Sequence, residues 1–474
     1  MALRILYLFL LLNAYTISAQ IFEVESIRDS GDDDKRINLV ILSEGYQASE
    51  LDQFITDATT FTNGMFSQSP FLEYADYFNV YAIKVPSNES GADHPGTGAS
   101  SDEATWPIPT TTVDTYFNAT YDSYGRHRLL FYEVDGNYAN NTEAKINTVL
   151  ANNFPEYDQA LILVNSPYYG GSGGEFPMAS TGVSANEIAI HELGHSLFDL
   201  KDEYYPGDLL AGEATNMTQE TDPSLIKWKN WMGINAIGIH QHSGTPTALT
   251  WYKPRHLECK MEVLGKPFCS VCKEGMVEKI HDLVSPIDSY TPTSTNITPS
   301  SYPLDVQLNL IKPNPNTLES IWTLNAATFA TNVDDISLME TDLNSGSNNL
   351  TVTVTDATSL LKVDNHETIH VYTVTWNITK SALGIEDIIT EENRYNIKMY
   401  PNPGNSVIHL KLESDTDSKL KVEIVSLDGK RVKRASISAY QTKQLNIDHL
   451  SQGIYVVNFY SKNARIASKK LVKQ

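Results

Sequence analysis

The apolar periodicity of this chain changes near residue 280, and that change separates what its two parts can fold into. Before it, short apolar runs alternate with segments of helical spacing. Arg36 to Leu42 is rich in Ile, Leu and Val and reads as a strand. Gly45 ends it, and Ser49 to about Met65 repeats apolar residues at helical intervals. Tyr77 to Val85 and Leu129 to Val134 read as strands, Thr142 to Ala151 as a short helix, and Ala160 to Val164 as another strand. Strands alternating with helices predict an α/β domain on a mostly parallel sheet. Beyond residue 280 the period becomes two. Leu304, Val306, Leu308 and Leu310 alternate with polar residues, as do Leu350, Val352 and Val354, and later Val371, Val374 and Trp376. This predicts a β-sandwich of about a hundred residues. A charged linker follows, and the block from Tyr395 to Gln474 again reads as short strands, with Asp428-Gly429 as a turn between apolar runs.

A length of 474 residues suits about two to four domains. The net charge of −23 argues against a nucleic-acid partner, because phosphate backbones attract basic surfaces. It reads instead as solubility. Met1 to about Ala19 looks like a secretory signal, with Arg4, the apolar run Ile5 to Leu12, and a small residue at the cleavage point. That run is too short to span a bilayer, and no later stretch is long enough. Asp32 to Lys35 reads as part of a flexible lead-in. Three cysteines, Cys259, Cys269 and Cys272, do not make a disulfide scaffold. In an oxidising compartment one pair is expected to bridge, leaving one thiol.

The chemistry concentrates at His191-Glu192-Leu193-Gly194-His195. A glycine loop, Tyr169 to Gly174, and a short extended stretch, Glu175 to Ala179, precede it. Ser184 and Glu187 have capping-box spacing just ahead of Ile188, Ala189 and Ile190, which predicts a capped helix. Histidines four apart on a helix share a face. Two imidazoles so placed reach one Zn²⁺ at about 2.0–2.1 Å. Glu192 lies beside the metal rather than on it, positioned for proton transfer to and from an activated water. A catalytic zinc needs a third protein ligand. The extended pattern with a third histidine is absent: Phe198 and Lys201 stand where its Gly and His would be. Asp202 comes next, then Glu203 and Tyr204. On an unbroken helix Asp202 would lie about 10 Å along the axis from His195, so the helix must end soon after His195 if Asp202 is the ligand. Glu203, Asp199, His240, His242 and His256 remain alternatives.

His191 to Tyr204, HELGHSLFDLKDEY, resembles the signature of the IgA-peptidase family of zinc metallopeptidases. Leu39 to Tyr46 (LVILSEGY), Pro70-Phe71, Phe78 to Tyr81, Pro86 to Gly91, Val164-Asn165, Tyr169 to Gly171, Cys259-Lys260-Met261 and Phe268 to Cys272 are similar to that family's pattern, in order, over about residues 36–280. The resemblance implies a zincin-like metallopeptidase domain with one catalytic Zn²⁺. His191 and His195 would be ligands, Glu192 the catalytic acid/base, Asp202 the third ligand, and Met261 a turn methionine packed under the metal. Tyr400 to Pro403, Leu427 to Lys430, Leu450 to Tyr455 and Lys469 to Val472 resemble a C-terminal sorting domain of the type IX secretion system, which implies export from a bacterial cell, to the medium or the cell surface.

The expected organisation is a signal peptide (1–19), a flexible lead-in (20–35), the metallopeptidase domain (36–280), an immunoglobulin-like β-sandwich (281–379), a linker (380–394) and a small β-sandwich sorting domain (395–474). The expected activity is hydrolysis of peptide bonds in extracellular proteins by a zinc-activated water, with the secretion machinery as the second partner. A surface adhesin on a degenerate peptidase scaffold, or a zinc amidase acting on a cell-wall amide, are the rival readings. Tyr204 or Tyr252 is a candidate oxyanion donor. Phe176 to Ser180 is a candidate edge strand for pairing with extended peptide. The three cysteines suggest a disulfide from Cys259 rather than a metal site, because the sequence shows no fourth ligand nearby.

Overall fold

The computed structural model describes residues 21–132, 142–380, 395–413, 419–462 and 464–474. The expected signal peptide and residues 381–394 of the expected linker lie outside them. Strands β1 (Glu23–Arg28), β2 (Ile37–Glu44), β3 (Phe78–Lys84), β4 (Gln159–Val164), β5 (Gly171–Ser172) and β6 (Met178–Ser180) form one sheet in the order β1-β3-β2-β4-β6-β5. The pairs β2–β3, β2–β4 and β4–β6 are parallel; the two flanking strands run antiparallel.

All eight residues of β2 are buried, since both faces of the sheet are covered. Ile37, Leu39 and Ile41 face one apolar layer, and Val40 and Leu42 face another. The first layer contains Phe54, Ala58, Phe61 and Met65 of helix α1 (Leu51–Phe66), spaced to fall on one helical face. The second contains Ile146, Val149 and Leu150 of α3 (Thr142–Asn153), which follows the short helix α2 (Ser100–Thr105). Each such aliphatic side chain contributes about 1.5–3 kcal/mol by leaving water. The first layer also receives helix α4 (Ala185–Ser196) through Ala189, Ile190 and Leu193. Strands β7 (His240–Gln241) and β8 (Tyr252–Lys253) make a small separate ladder, and α5 (Ser270–Leu283) closes this part with Val271, Met276 and Ile280.

Three sequence expectations change here. Residues 23–28 are not a flexible lead-in but an edge strand, β1, whose alternating polar residues gave no apolar signal. Leu129 to Tyr132 makes single bridges to Gly171 and Thr120 rather than a strand, and residues 133–141 lie outside the described residues. Phe176 to Ser180 is not an edge: β6 is paired on both sides, and β5 is the outer strand.

After α5, strands 296–297, 372–380, 346–356, 318–324 and 327–331 form a five-stranded sheet in that order, and strands 335–338, 304–310 and 287–291 a three-stranded one. Every second residue is buried: Val306 and Leu308 in one strand, Leu350, Val352 and Val354 in another, Val374 and Trp376 in a third. Trp322 and Trp376 stack at 6.0 Å, and each indole N–H donates to a carbonyl at 2.9 Å. The change of period near residue 280 does not separate compact units. The chain up to Ile297, Ser301–Glu340 and Asn349–Ile378 form one unit. Ile311 and Leu361 join the apolar layer under the first sheet. The carboxylate of Asp356, 3% exposed, accepts from Tyr74 Oη at 2.6 Å, Thr317 Oγ1 at 2.6 Å and the Thr358 amide at 3.0 Å, with His281 Nε2 at 3.0 Å.

The C-terminal unit holds two more sheets. One pairs Asn396–Tyr400, Val407–Glu413 and Thr442–Asn446. The other pairs Arg431–Ser438, Lys419–Ser426, Gly453–Ser461 and Ala464–Lys473. Leu410, Leu412, Val422, Val457, Phe459 and Leu471 fill its core. Asp428-Gly429 is the hairpin turn, with Gly429 at φ +79°.

Candidate active site and metal centre

Helix α4 carries the paired histidines, but its start is not the expected capping box. Ser184 sits in the left-handed region (φ 70°) and its side chain makes no cap. Glu187 turns away to accept from Lys260 Nζ, Gln68 Nε2 (2.8 Å) and the Gly265 amide (3.1 Å). The helix is therefore fixed by tertiary partners and by burial of Ile188, Ala189 and Ile190. Its end is abrupt. The helix stops at Ser196, Asp199 takes a positive φ of 56°, and the Leu200 amide returns to the Gly194 carbonyl at 2.9 Å. That turn folds the following residues back under the histidines.

Asp202 arrives there. Its Oδ1 lies 3.1 Å from His191 Nε2 and 3.2 Å from His195 Nε2. His191 Nδ1 is 2.9 Å from the Lys260 carbonyl, and His195 Nδ1 is 2.7 Å from the Leu200 carbonyl. A carbonyl only accepts, so each Nδ1 carries the proton and each Nε2 lone pair faces the centre. Ligands at tetrahedral zinc distances stand about 3.3 Å apart, close to the spacing of these three atoms. The donor set thus fits a divalent ion of the zinc type. Glu192 and the two histidines also lie within 4.8 Å of one another, but Asp202 is the carboxylate equidistant from both rings. Burial pushes the Glu192 carboxyl above its usual range, with the two histidines partly offsetting it.

Glu192 projects into a cleft of about 650 Å³ lined by Gly171, Ser172, Gly173, His195, Asp202 and Tyr204 among others. A β-carbon on Gly173 would stand 2.5 Å from Glu192 Oε2, so the glycine loop leaves room for that carboxylate. Burial, then the Asp202 charge, push the Tyr204 phenol well up. Tyr252 lies on β8, its backbone paired with Thr218, and does not line the cleft. Met261 is fully buried against Gly194, between the two histidines in sequence.

The alternative third ligands go elsewhere. Asp199 is exposed and pairs with Lys279 at 3.1 Å. His240 and His256 stack on each other at 6.3 Å. His242 is buried, and that burial, with Lys253 nearby, pushes its pKa down to about 4. Glu203 points away from the histidines to Cys259, Cys269 and Cys272. These cysteines are free thiols with the Cys259 and Cys272 sulfurs 3.7 Å apart, so the expected disulfide is not formed. The sequence reading missed this meeting, because Glu203 is 56 residues or more from each cysteine and no spacing rule joins them.

A helix presenting two histidines to an acid from the turn beyond it is a donor set able to hold one metal ion. Residues 25–239, from β1 through α4 and Asp202, match the family model of the IgA Peptidase M64. Residues 398–474 match the secretion system C-terminal sorting domain, which marks the chain for export, to the cell surface or beyond it. No curated protein matches. Among solved structures, latent PorU of Porphyromonas gingivalis is 14% identical, covering 32% of this chain and 14% of its own, with a TM-score of 0.15. A Parabacteroides merdae β-glucuronidase is 10% identical over 44% of this chain and 26% of its own, TM-score 0.16. SGBP-B of the Bacteroides ovatus mixed-linkage glucan utilization locus, in complex with a mixed-linkage heptasaccharide, is 8% identical over 38% of this chain and 66% of its own, TM-score 0.15. Likeness at that level carries no argument about function. No described helix is long and apolar enough to cross a membrane.

Proposed function

We propose that this chain is an exported zinc-dependent endopeptidase acting on extracellular proteins. The observation that carries the reading is the position of Asp202 Oδ1, 3.1 and 3.2 Å from the two histidine Nε2 atoms. His191, His195 and Asp202 would hold the ion. A bound Zn²⁺ supplies Lewis acidity toward water and the scissile carbonyl. Glu192 takes the proton of the attacking water and returns it to the leaving amine. Burial, which raises its carboxyl, favours that return. The Tyr204 phenol stands at the same cleft to donate to the developing oxyanion. The fold is read as zincin-like, the region 281–379 as an immunoglobulin-like sandwich, and 395–474 as the sorting domain engaged by the secretion machinery.

Glu192→Ala should keep the zinc of the purified full chain and lose cleavage of a mixed protein pool. Zinc-free wild-type protein, or an undiminished Glu192→Ala, overturns the reading. A cleavage profile on that pool separates peptide hydrolysis from action on a non-protein amide. A binding protein on the same scaffold would be indifferent to Glu192.

A further inference from the structure

We propose that Cys259, Cys269, Cys272 and Glu203 hold a second, structural zinc ion beside the catalytic centre. All four side chains are buried, none more than 6% exposed. The Cys259 and Cys272 sulfurs are 3.7 Å apart, and Glu203 Oε1 lies 3.1 Å from the Cys272 sulfur and 3.6 Å from the Cys269 sulfur. Tetrahedral zinc with Zn–S of about 2.3 Å and Zn–O of about 2.0 Å sets S···S near 3.8 Å and S···O near 3.5 Å. A disulfide needs about 2.05 Å.

Charge points the same way. Glu203 Oε2 has no hydrogen-bond partner, and Oε1 has only the thiols and Asn216 Nδ2 at 3.4 Å. Lys253 Nζ, the cation beside Glu203, bonds its backbone carbonyl and the Glu262 carboxylate instead. A buried carboxylate left so is costly unless it takes up a proton or a cation meets it. Cys269 stands at the N-cap position of α5 and Cys272 lies in its first turn, where helix amides favour thiolate. The Cys269 amide also donates toward the Cys259 sulfur at 3.4 Å.

The ion would join three segments: the turn after α4, the Met261 segment and the start of α5. The Glu203 amide already donates to the Met261 carbonyl at 2.7 Å. Glu203 is thereby a positioning residue for its neighbour Asp202, a role that rests on the metallopeptidase reading; the metal site itself does not. In the full chain loaded with Co²⁺ alone, a thiolate-to-cobalt charge-transfer band is expected. It should persist in His191→Ala/His195→Ala and vanish in Cys259→Ser/Cys272→Ser, which should hold one zinc equivalent fewer than wild type. On the wild type, which needs no variant to fold, the three thiols should resist alkylation until a chelator is added. No charge-transfer band, thiols alkylated equally with and without chelator, or a disulfide in the purified protein overturns the proposal.

A different group carries a second site independently. His94 Nε2 lies 2.9 Å from Asp122 Oδ2 and 3.3 Å from Glu103 Oε1, and His127 Nδ1 lies 2.9 Å from Asp122 Oδ1 and 3.3 Å from Glu103 Oε1. The other ring nitrogens meet carbonyls, His94 Nδ1 that of Pro109 at 3.2 Å and His127 Nε2 that of Trp106 at 2.7 Å. The lone pairs therefore converge with two carboxylates on one point, with spacings that suit a zinc-type ion. We infer that this loop is closed by a divalent cation. Zn²⁺ titrated into the metal-stripped full chain should fill one site fewer in His94→Ala/His127→Ala, and should slow proteolysis within residues 94–132 of the wild type. Equal site counts, or zinc-indifferent proteolysis, overturns it.

Discussion

Gly194 stands so close to Met261 that a β-carbon on it would lie 2.9 Å from the methionine sulfur. Two effects compete in Gly194→Ala. Alanine favours the helix interior by about 1 kcal/mol. Forcing a methyl into a filled site typically costs about 1–3 kcal/mol. Met261 is 0% exposed, and Phe268 is 3.5 Å from the same point, so the sulfur has little space to yield. Net destabilisation of up to about 2 kcal/mol is expected, read as a lower Tm, with weaker zinc retention because the histidines flank this contact.

Gly173→Ala should act on Glu192 alone. The new methyl would meet the end of a flexible carboxylate side chain, which can swing aside with little strain elsewhere. Folding should change by less than about 0.5 kcal/mol. Displacing a proton-transfer group by about 1 Å can cost about 100-fold in rate. A lower kcat with unchanged zinc content is the expected result; unchanged kcat would show that the carboxylate works from another position.

Asp202→Asn and Asp199→Asn distinguish the two acids at the end of α4. Loss of a ligand should weaken zinc by more than the roughly 10–100-fold typical of its supporting partners. Asp199 makes only an exposed pair with Lys279, worth about 0–1 kcal/mol. Zinc affinity by competition with a chelator should fall for Asp202→Asn and hold for Asp199→Asn. Equal affinities would remove Asp202 from the ligand set.

Asp356 predicts an acid limb in the stability curve. Burial would raise its carboxyl, but the bonds with His281, Thr317 and Tyr74 outweigh that and hold it below the usual range. A group lowered on folding binds its proton more readily unfolded. Its stabilisation is complete above the unfolded carboxylate value of about 3.9 and is lost as pH falls through the lower folded value. Asp356→Asn should destabilise by about 1–3 kcal/mol at neutral pH, from donors left facing an amide. Its loss of stability below about pH 4 should be shallower than that of wild type in a denaturant series.

Much of this was legible beforehand because burial on both faces writes a plain signal. The continuous apolar run of β2 and the one-sided pattern of α1 appear as expected. The histidine pair was legible because helical spacing alone puts both rings on one face. The turn that delivers Asp202 was not, since the residue at positive φ is Asp199 rather than a glycine. β1 escaped because an edge strand needs no apolar run, and Leu129 to Tyr132 misled because Leu130 and Tyr132 are buried without a ladder. Glu187 matched a local pattern while its side chain was committed to Lys260, 73 residues away.

The Asp356 carboxylate draws on Tyr74, His281 and Thr317, and Ile311 and Leu361 fill the layer beneath the first sheet. A chain cut after residue 284 would strip away Asp356, Thr317, Ile311 and Leu361, leave Tyr74 and His281 without their carboxylate partner, and bare the side of the peptidase part that the lost groups cover. The sandwich-like region is then less an accessory than a missing wall. Removing the one without the other would leave the peptidase part with an open flank.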